Sequence, residues 1–326
     1  MSETIRTQQP PIEAETIETK TMETETIETD RGNAHAIACV SNRTGGDESG
    51  NPSSHASEHR WSLLAQIPAA PRASLLWLPA LGVAAKHYRP FAEALAVHGV
   101  ATFVHELRGH GSSTLRASHA ENWGYRELLL DDVSASDAAM CGAIANVPRI
   151  FGGHSLGGQL AACHLALSHP TAHALWLVAS GAPFWRTFPG PRSLALPLAY
   201  RFAPWLADRC GALPGRRIGF GGNEARGVIH DWARTGLSGR YAGDGIAQDL
   251  EAALAQVRTR VQGVRLRDDW LVPQGSLDFL TGKMPNSRAA HRVIDRDTLG
   301  VRADHFSWMK RPQAVAEALV SSLDTH

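Results

Sequence analysis

A serine held between two glycines, Gly153-His154-Ser155-Leu156-Gly157, follows the apolar run Arg149-Ile150-Phe151 and precedes a helical pattern that opens at Leu156. In that context Gly-x-Ser-x-Gly places Ser155 on a tight strand-to-helix turn, where side chains at the flanking positions would collide with backbone. The turn would lift the hydroxyl beyond the sheet edge. It would also leave the Leu156 N–H at a helix N-terminus, where the backbone dipole favours a developing negative charge. A serine hydroxyl is a weak nucleophile at neutral pH, so it needs a base to take its proton and a carboxylate to orient that base.

Both partners follow Ser155 in the chain, the acid first and the histidine after it. The pair Asp268-Asp269 comes directly after the apolar segment Arg260–Leu266, and His305 comes after His291–Asp295, the last expected strand. Each therefore sits past the C-terminal end of a strand, where catalytic groups of such sheets collect. With 16 histidines in the chain, position rather than composition singles out His305. His291 opens a strand, and His154 points away from Ser155 on the turn and is read as packed beneath it. His110, in Gly109-His110-Gly111, is read as structural, and Asp131 and Asp132 as helix-cap or surface charges.

Those residues have to be carried by a regular scaffold, and the chain supplies one from Ser74 onward. Strands are expected at Ser74–Leu78, Val100–Glu106, at the segment before Ser155, and at Ala174–Ala179. Helices are expected from about Lys86 to Val97, Tyr125 to Ile144, and Leu156–Leu167. Strands alternating with helices through short connections predict a doubly wound, mostly parallel α/β sheet. Ahead of it, Ala34–Val40 and Trp61–Ile67 read as antiparallel strands. The Glu-Thr repeats of residues 1–32 and the polar stretch Ser41–Glu58 read as a poorly ordered tail over 1–58, with the domain proper at 59–326. From about 183 to 256 the rhythm breaks into helical pieces, Leu194–Cys210, Ala225–Thr235 and Ile246–Ala255, without a strand signal. That insertion reads as a helical lid. Trp185, Trp205, Trp232 and Trp270 would line an acyl pocket or form the lid's own core. The sheet resumes at Arg260–Leu266, and a helix over Pro312–Leu323 closes the chain.

Composition narrows the classes. The 326 residues are 43% hydrophobic, and 32 Lys and Arg balance 32 Asp and Glu. Such a chain buries a full core and has no basic concentration suited to nucleic acid. No apolar run approaches the ~20 residues of a membrane span. The N-terminus lacks a secretion-signal pattern, and Cys39, Cys141, Cys163 and Cys210 are dispersed, so a cytoplasmic protein with reduced thiols is expected. Phosphate loops, dinucleotide fingerprints and clustered His/Cys spacings are absent, which implies no cofactor and no metal.

The segments Pro79-Ala80-Leu81-Gly82-Val83, Tyr88-Arg89-Pro90-Phe91-Ala92 and Arg108-Gly109-His110-Gly111-Ser112, together with the serine turn, resemble the α/β-hydrolase-fold serine hydrolases. The likeness spans roughly residues 60–325. It implies an α/β-hydrolase fold and an Asp-x-x-Val-Pro spacing that selects Asp269 over Asp268. It also implies that the Leu81 and Leu156 backbone N–H groups form the oxyanion hole. Where the wider family reads His-Gly-x this chain has Pro79-Ala80-Leu81, a departure that leaves backbone donors in place. The implied activity is hydrolysis of an ester or related acyl bond of a small, hydrophobic acyl substrate by Ser155, Asp269 and His305. The same residues would also serve an acyltransferase, and a non-catalytic binding module on the same scaffold is the alternative from a different class.

Overall fold

The computed structural model describes residues 27–28, 34–41, 58–169 and 171–324. Its main sheet begins with β1 (Ile27–Glu28), β2 (Ala34–Ser41) and β3 (His59–Gln66), all antiparallel. β3 then pairs antiparallel with β5 (Val100–Val104), which lies parallel to β4 (Ala73–Leu78). β6 (Arg149–His154), β7 (Ala174–Val178), β10 (Arg260–Leu266) and β11 (Arg288–Ile294) continue the parallel part, in the order β1-β2-β3-β5-β4-β6-β7-β10-β11. The doubly wound sheet is the architecture expected. Its start is earlier than residue 59: β2 pairs with β3 from Ala34↔Gln66 to Ser41↔His59, so the expected tail contributes a strand. β2 is the strand expected at Ala34–Val40, and apart from β1, β2 and Glu58 the residues of that tail lie outside the described ones.

The central strands are apolar on both faces. Leu76 and Leu78 of β4 join one core with Phe103, Phe151, Leu175 and Leu177. Leu75 and Trp77 join the other with Val104, Ile150 and Trp176. Period-2 alternation sends successive side chains to opposite faces, and helices cover both. α1 (Arg89–Val97) packs on one face and α2 (Ser134–Ala143) and α3 (Leu156–Ser168) on the other. Because the chain leaves β4 for β5 on one side and returns to β6 on the other, the strand order reverses between β4 and β6. That crevice is where ligands of open α/β sheets bind.

After β7 come α4 (Arg192–Cys210), β8 (Ala212–Pro214), α5 (Gly215–Ile218), β9 (Asn223–Ala225), α6 (Arg226–Ser238) and α7 (Leu250–Gln256). The helices match the expected pieces, but β8 and β9 pair with each other, contrary to an all-helical insertion. Three residues per strand are too few to show alternation, and the ladder exists only because α4 and α6 bring its halves together. The insertion is tied to the sheet's helices by Tyr125 N–H donating to Asp231 at 2.8 Å and Tyr241 Oη donating to Gln159 Oε1 at 3.2 Å. α8 (Gln274–Gly282), α9 (Arg296–Leu299) and α10 (Gln313–Val320) complete the chain. Among the described residues, no helix is long and apolar enough to cross a membrane.

The expected helix from Tyr125 contains a π-helical stretch, Glu127–Val133, before α2. Asp132 within it is fully buried, contrary to the surface reading, because Arg108 reaches it with Nε at 2.7 Å and Nη2 at 2.6 Å. Ser41 Oγ and His59 Nδ1 supply further contacts at 2.9 and 3.1 Å.

Nearby, His105 is wholly buried, with Nδ1 2.9 Å from Ser136 Oγ, and burial pushes its pKa down to about 4. Unfolded, it would titrate near ~6.5. Between those values the unfolded chain binds a proton that the folded chain rejects, so stability rises with pH across that window. Lowering the pH from 7 to 4 should therefore cost up to about 3 kcal/mol through this residue. Urea midpoints measured across that range should show a shallower fall in His105→Gln, and parallel curves would refute the assignment.

Candidate active site

Ser155 joins β6 to α3 with φ 54° and ψ −121°, a region that costs a non-glycine residue of order 1–3 kcal/mol. Three bonds hold it there. Its N–H donates to Val178 O at 3.2 Å, and its carbonyl accepts from Ser180 Oγ at 2.7 Å and Gly158 N–H at 3.1 Å. Both flanking glycines are required by close approach. A Cβ on Gly157 would lie 2.0 Å from Leu78 O, and one on Gly153 would lie 2.3 Å from the Gly157 backbone. Leu156 opens α3, so its N–H belongs to the first turn, which has no intrahelical acceptor.

Asp269 and His305 meet past the ends of β10 and β11. His305 Nδ1 lies 2.8 Å from Asp269 Oδ2, and both residues are buried. The other carboxylate oxygen, Oδ1, accepts from Leu271 N–H at 2.9 Å and Val272 N–H at 3.3 Å, which fixes the acid's orientation. Asp268 makes its backbone bond to Ala303 O and is exposed. His154 connects this pair to the serine turn: its ring is 4.8 Å from that of His305 and packs against Trp308 at 5.3 Å. It is completely buried, and burial, with His305 alongside, holds its pKa well below the ordinary imidazole range. Held by Tyr88 and packed between Trp308 and His305, it sits as expected of a residue beneath the turn.

Tyr88 is a contributor whose role sequence reasoning missed, although its motif was quoted. Its hydroxyl accepts from Ala80 N–H at 2.8 Å and lies 2.9 Å from His154 Nδ1. One buried phenol thus ties the loop after β4, which carries Leu81, to the serine turn. Gly82 in that loop has φ 79°, and a Cβ there would lie 2.3 Å from Gly222 N in the insertion. His110 links the same region, with Nε2 3.1 Å from Glu224 Oε2, and Glu224 Oε1 accepts from Gly222 N–H at 2.6 Å. Both are buried, in keeping with a structural histidine.

Trp185, half-buried, lies beside Phe184 at 6.4 Å. Trp205 and Trp270 are exposed, and Trp232 packs on Tyr200 at 4.8 Å and Phe220 at 5.1 Å and against the main core. A hydrogen-bonded Ser-His-Asp chain lies elsewhere, at Ser113, His59 and Asp132. His59 Nε2 is 3.0 Å from Ser113 Oγ, and Nδ1 is 3.1 Å from Asp132. These three side chains are sealed from solvent and Asp132 is clamped by Arg108, so no substrate reaches them.

The Hydrolase_4 family (serine aminopeptidase, S33) matches residues 69–233. No curated protein matches the chain. Among solved structures, the lipolytic enzymes LipS and LipT, derived from a metagenome, are similar at 16% identity and TM-score 0.55, over 80% of this chain and 97% of theirs. A DcsB complex with a substrate analogue gives 12% identity and TM-score 0.55, covering 89% and 98%. A thermophilic esterase from Thermogutta terrifontis gives 16% and 0.52, covering 89% and 98%. At these identities the likeness shows the fold.

Proposed function

The chain belongs to the Hydrolase_4 family of α/β hydrolases, and from that premise we propose a serine hydrolase that cleaves an ester of a small, hydrophobic acyl group. The observation that carries the proposal is the buried Asp269–His305 bond on the sheet edge that also presents the strained Ser155. Asp269 holds Nδ1–H, so His305 offers Nε2 as the base. Nε2 takes the Ser155 proton as Oγ attacks the carbonyl carbon, and returns it to the departing alkoxide. The Leu156 N–H, at a helix N-terminus, and the Leu81 N–H receive the oxyanion. Water, deprotonated by His305, then cleaves the acyl-enzyme and frees Ser155.

An ester fits better than the N-terminal peptide named in the family description. A peptide's α-ammonium would need a spare carboxylate beside the site. The buried acids near the loop after β4 are engaged: Glu106 by Ala85 N–H and Ser112 N–H, Glu224 by His110 and Gly222 N–H. An apolar acyl group also suits the insertion, which reads as a lid. Along α4 it exposes Leu194, Leu198, Phe202 and Trp205, a stripe of the kind that marks contact with apolar partners.

The test is turnover of p-nitrophenyl esters of increasing chain length beside aminoacyl anilides, with product analysis in the presence of alcohols, amines and thiols. Preference for medium or long acyl esters with free acid as product is the expected result. Faster anilide cleavage would overturn the ester reading, and acyl transfer to an added acceptor in preference to water would make the protein an acyltransferase. No turnover and no fluorophosphonate labelling of the folded protein would leave a binding module.

A further inference from the structure

A second polar cluster lies far from Ser155. α3 runs away from the serine turn for 13 residues, so its last turn lies ~20 Å from it. There His164 and His169 meet Asp137 of α2. Asp137 Oδ2 is 2.6 Å from His169 Nε2 and 3.4 Å from His164 Nε2, and the three donor atoms lie within 4.8 Å of one another. Asp137 and His164 are buried, and Phe151 stacks on the His169 ring at 5.2 Å. One helical turn along α2, Cys141 Sγ sits 3.7 Å from Asp137 Oδ1. Sequence spacing shows only part of this set: His164-x4-His169, at the end of α3 and its C-cap, is a zinc-ligand interval, whereas Asp137 and Cys141 come from α2, which meets α3 only in the folded chain.

Four donors, namely two imidazole nitrogens, one carboxylate oxygen and one sulfur, are the mixture that zinc takes in tetrahedral sites. Bond lengths of ~2.0–2.3 Å put neighbouring donors ~3.3–3.7 Å apart in such a site, so the donor atoms of Asp137, His164 and His169, within 4.8 Å of one another, have little to close, while Cys141 Sγ, 3.7 Å from the other Asp137 oxygen, has to swing in to join them. Calcium and magnesium, which take all-oxygen shells, do not fit.

Arg149 occupies the mouth of the cluster. Its Nη1 is 3.0 Å from Cys141 Sγ and 3.9 Å from Asp137 Oδ1, and its Nη2 is 3.3 Å from His169 Nδ1. A guanidinium only donates, so His169 Nδ1 must accept and Nε2 must carry the proton toward Asp137. Zinc needs the opposite tautomer, with the Nε2 lone pair free and the proton on Nδ1. The arginine-bound and metal-bound arrangements therefore exclude each other through charge and through tautomer. The Arg149 side chain is 39% exposed against 8% for Asp137 and 2% for His164, so the arginine is the member free to leave.

We propose that Asp137, His164 and His169, with Cys141 as fourth donor, form a zinc site that staples α2 to α3, and that Arg149 competes with the ion for it. The ion has no part in the reaction at Ser155. The proposal is tested by calorimetric titration of the tag-free, chelator-stripped full-length protein with Zn²⁺, beside spectra of the Co²⁺ complex. Expected are one saturable site in the wild type and at least tenfold tighter binding in Arg149→Gln, because the competing cation is gone. Binding should weaken by more than about 100-fold in His169→Gln, a partly exposed position where folding is easily checked by circular dichroism. The Co²⁺ complex should show a thiolate charge-transfer band that disappears in Cys141→Ser. Absence of a saturable site in both wild type and Arg149→Gln would overturn the proposal. So would equal affinity in His169→Gln, or an Arg149→Gln affinity no higher than that of the wild type. A Co²⁺ complex without the thiolate band would remove Cys141 from the donor set.

Discussion

Replacing Ser155 by alanine is expected to lower ester turnover by roughly 10⁴–10⁶-fold while the fold persists. The attacking oxygen is lost, yet the three bonds that hold the turn all use the backbone of residue 155, so the turn survives. The proposed oxyanion donors, Leu81 and Leu156 N–H, and the Asp269–His305 pair remain and would account for whatever rate is left over that in water. Steady-state kinetics should show the fall in kcat, and a fluorophosphonate probe should label the wild type but not the variant. His305→Ala should behave alike, and Asp269→Asn should lose about 10⁴-fold by presenting the wrong imidazole tautomer. A Ser155→Ala protein within tenfold of wild-type activity would disprove the mechanism outright.

The second large effect is on stability and falls on Asp132, remote from the chemistry. Burial would raise its pKa, but the Arg108 guanidinium and His59 hold it at about 2. Removing it strands a buried guanidinium, so Asp132→Ala should cost about 3–5 kcal/mol in denaturant unfolding. Replacing both partners with apolar residues, Arg108→Met with Asp132→Leu, should recover most of that, because no charge is left buried alone. The pH sign follows from the depressed carboxyl. Its contribution is complete above the unfolded carboxylate value of ~3.9 and is lost as pH falls through about 2, whereas the loss from His105 begins near ~6.5. A single-variant cost under about 1 kcal/mol would mean that Arg108 finds water, and the network would then not be a structural anchor.

Much of this protein can be read along the chain because the information is local. Alternating faces of β4 to β7, the helix after Ser155 and the two glycines around it are dictated by period and sterics within a dozen residues. Strand ends are local too, which is why the positions of Asp268, Asp269 and His305 were legible together with their order. What separates Asp269 from its neighbour is a contact with His305, 36 residues on.

Other features were decided only by tertiary structure, because their causes lie in chain-distant partners. Asp132 reads as a surface charge until Arg108 and His59 are brought to it from the turn after β5 and the start of β3. The β8–β9 ladder is too short to leave a pattern. His154 adjoins Ser155 in sequence, yet burial beneath the turn disfavours its charged form. His164-x4-His169 is an interval that zinc ligands use and could have been noticed, but Asp137 reaches the two histidines only when α2 and α3 pack on one face of the sheet. Periodicity and sterics act over a few residues and are written in the sequence. Burial and ion pairing depend on which distant segment arrives, and the fold alone specifies that.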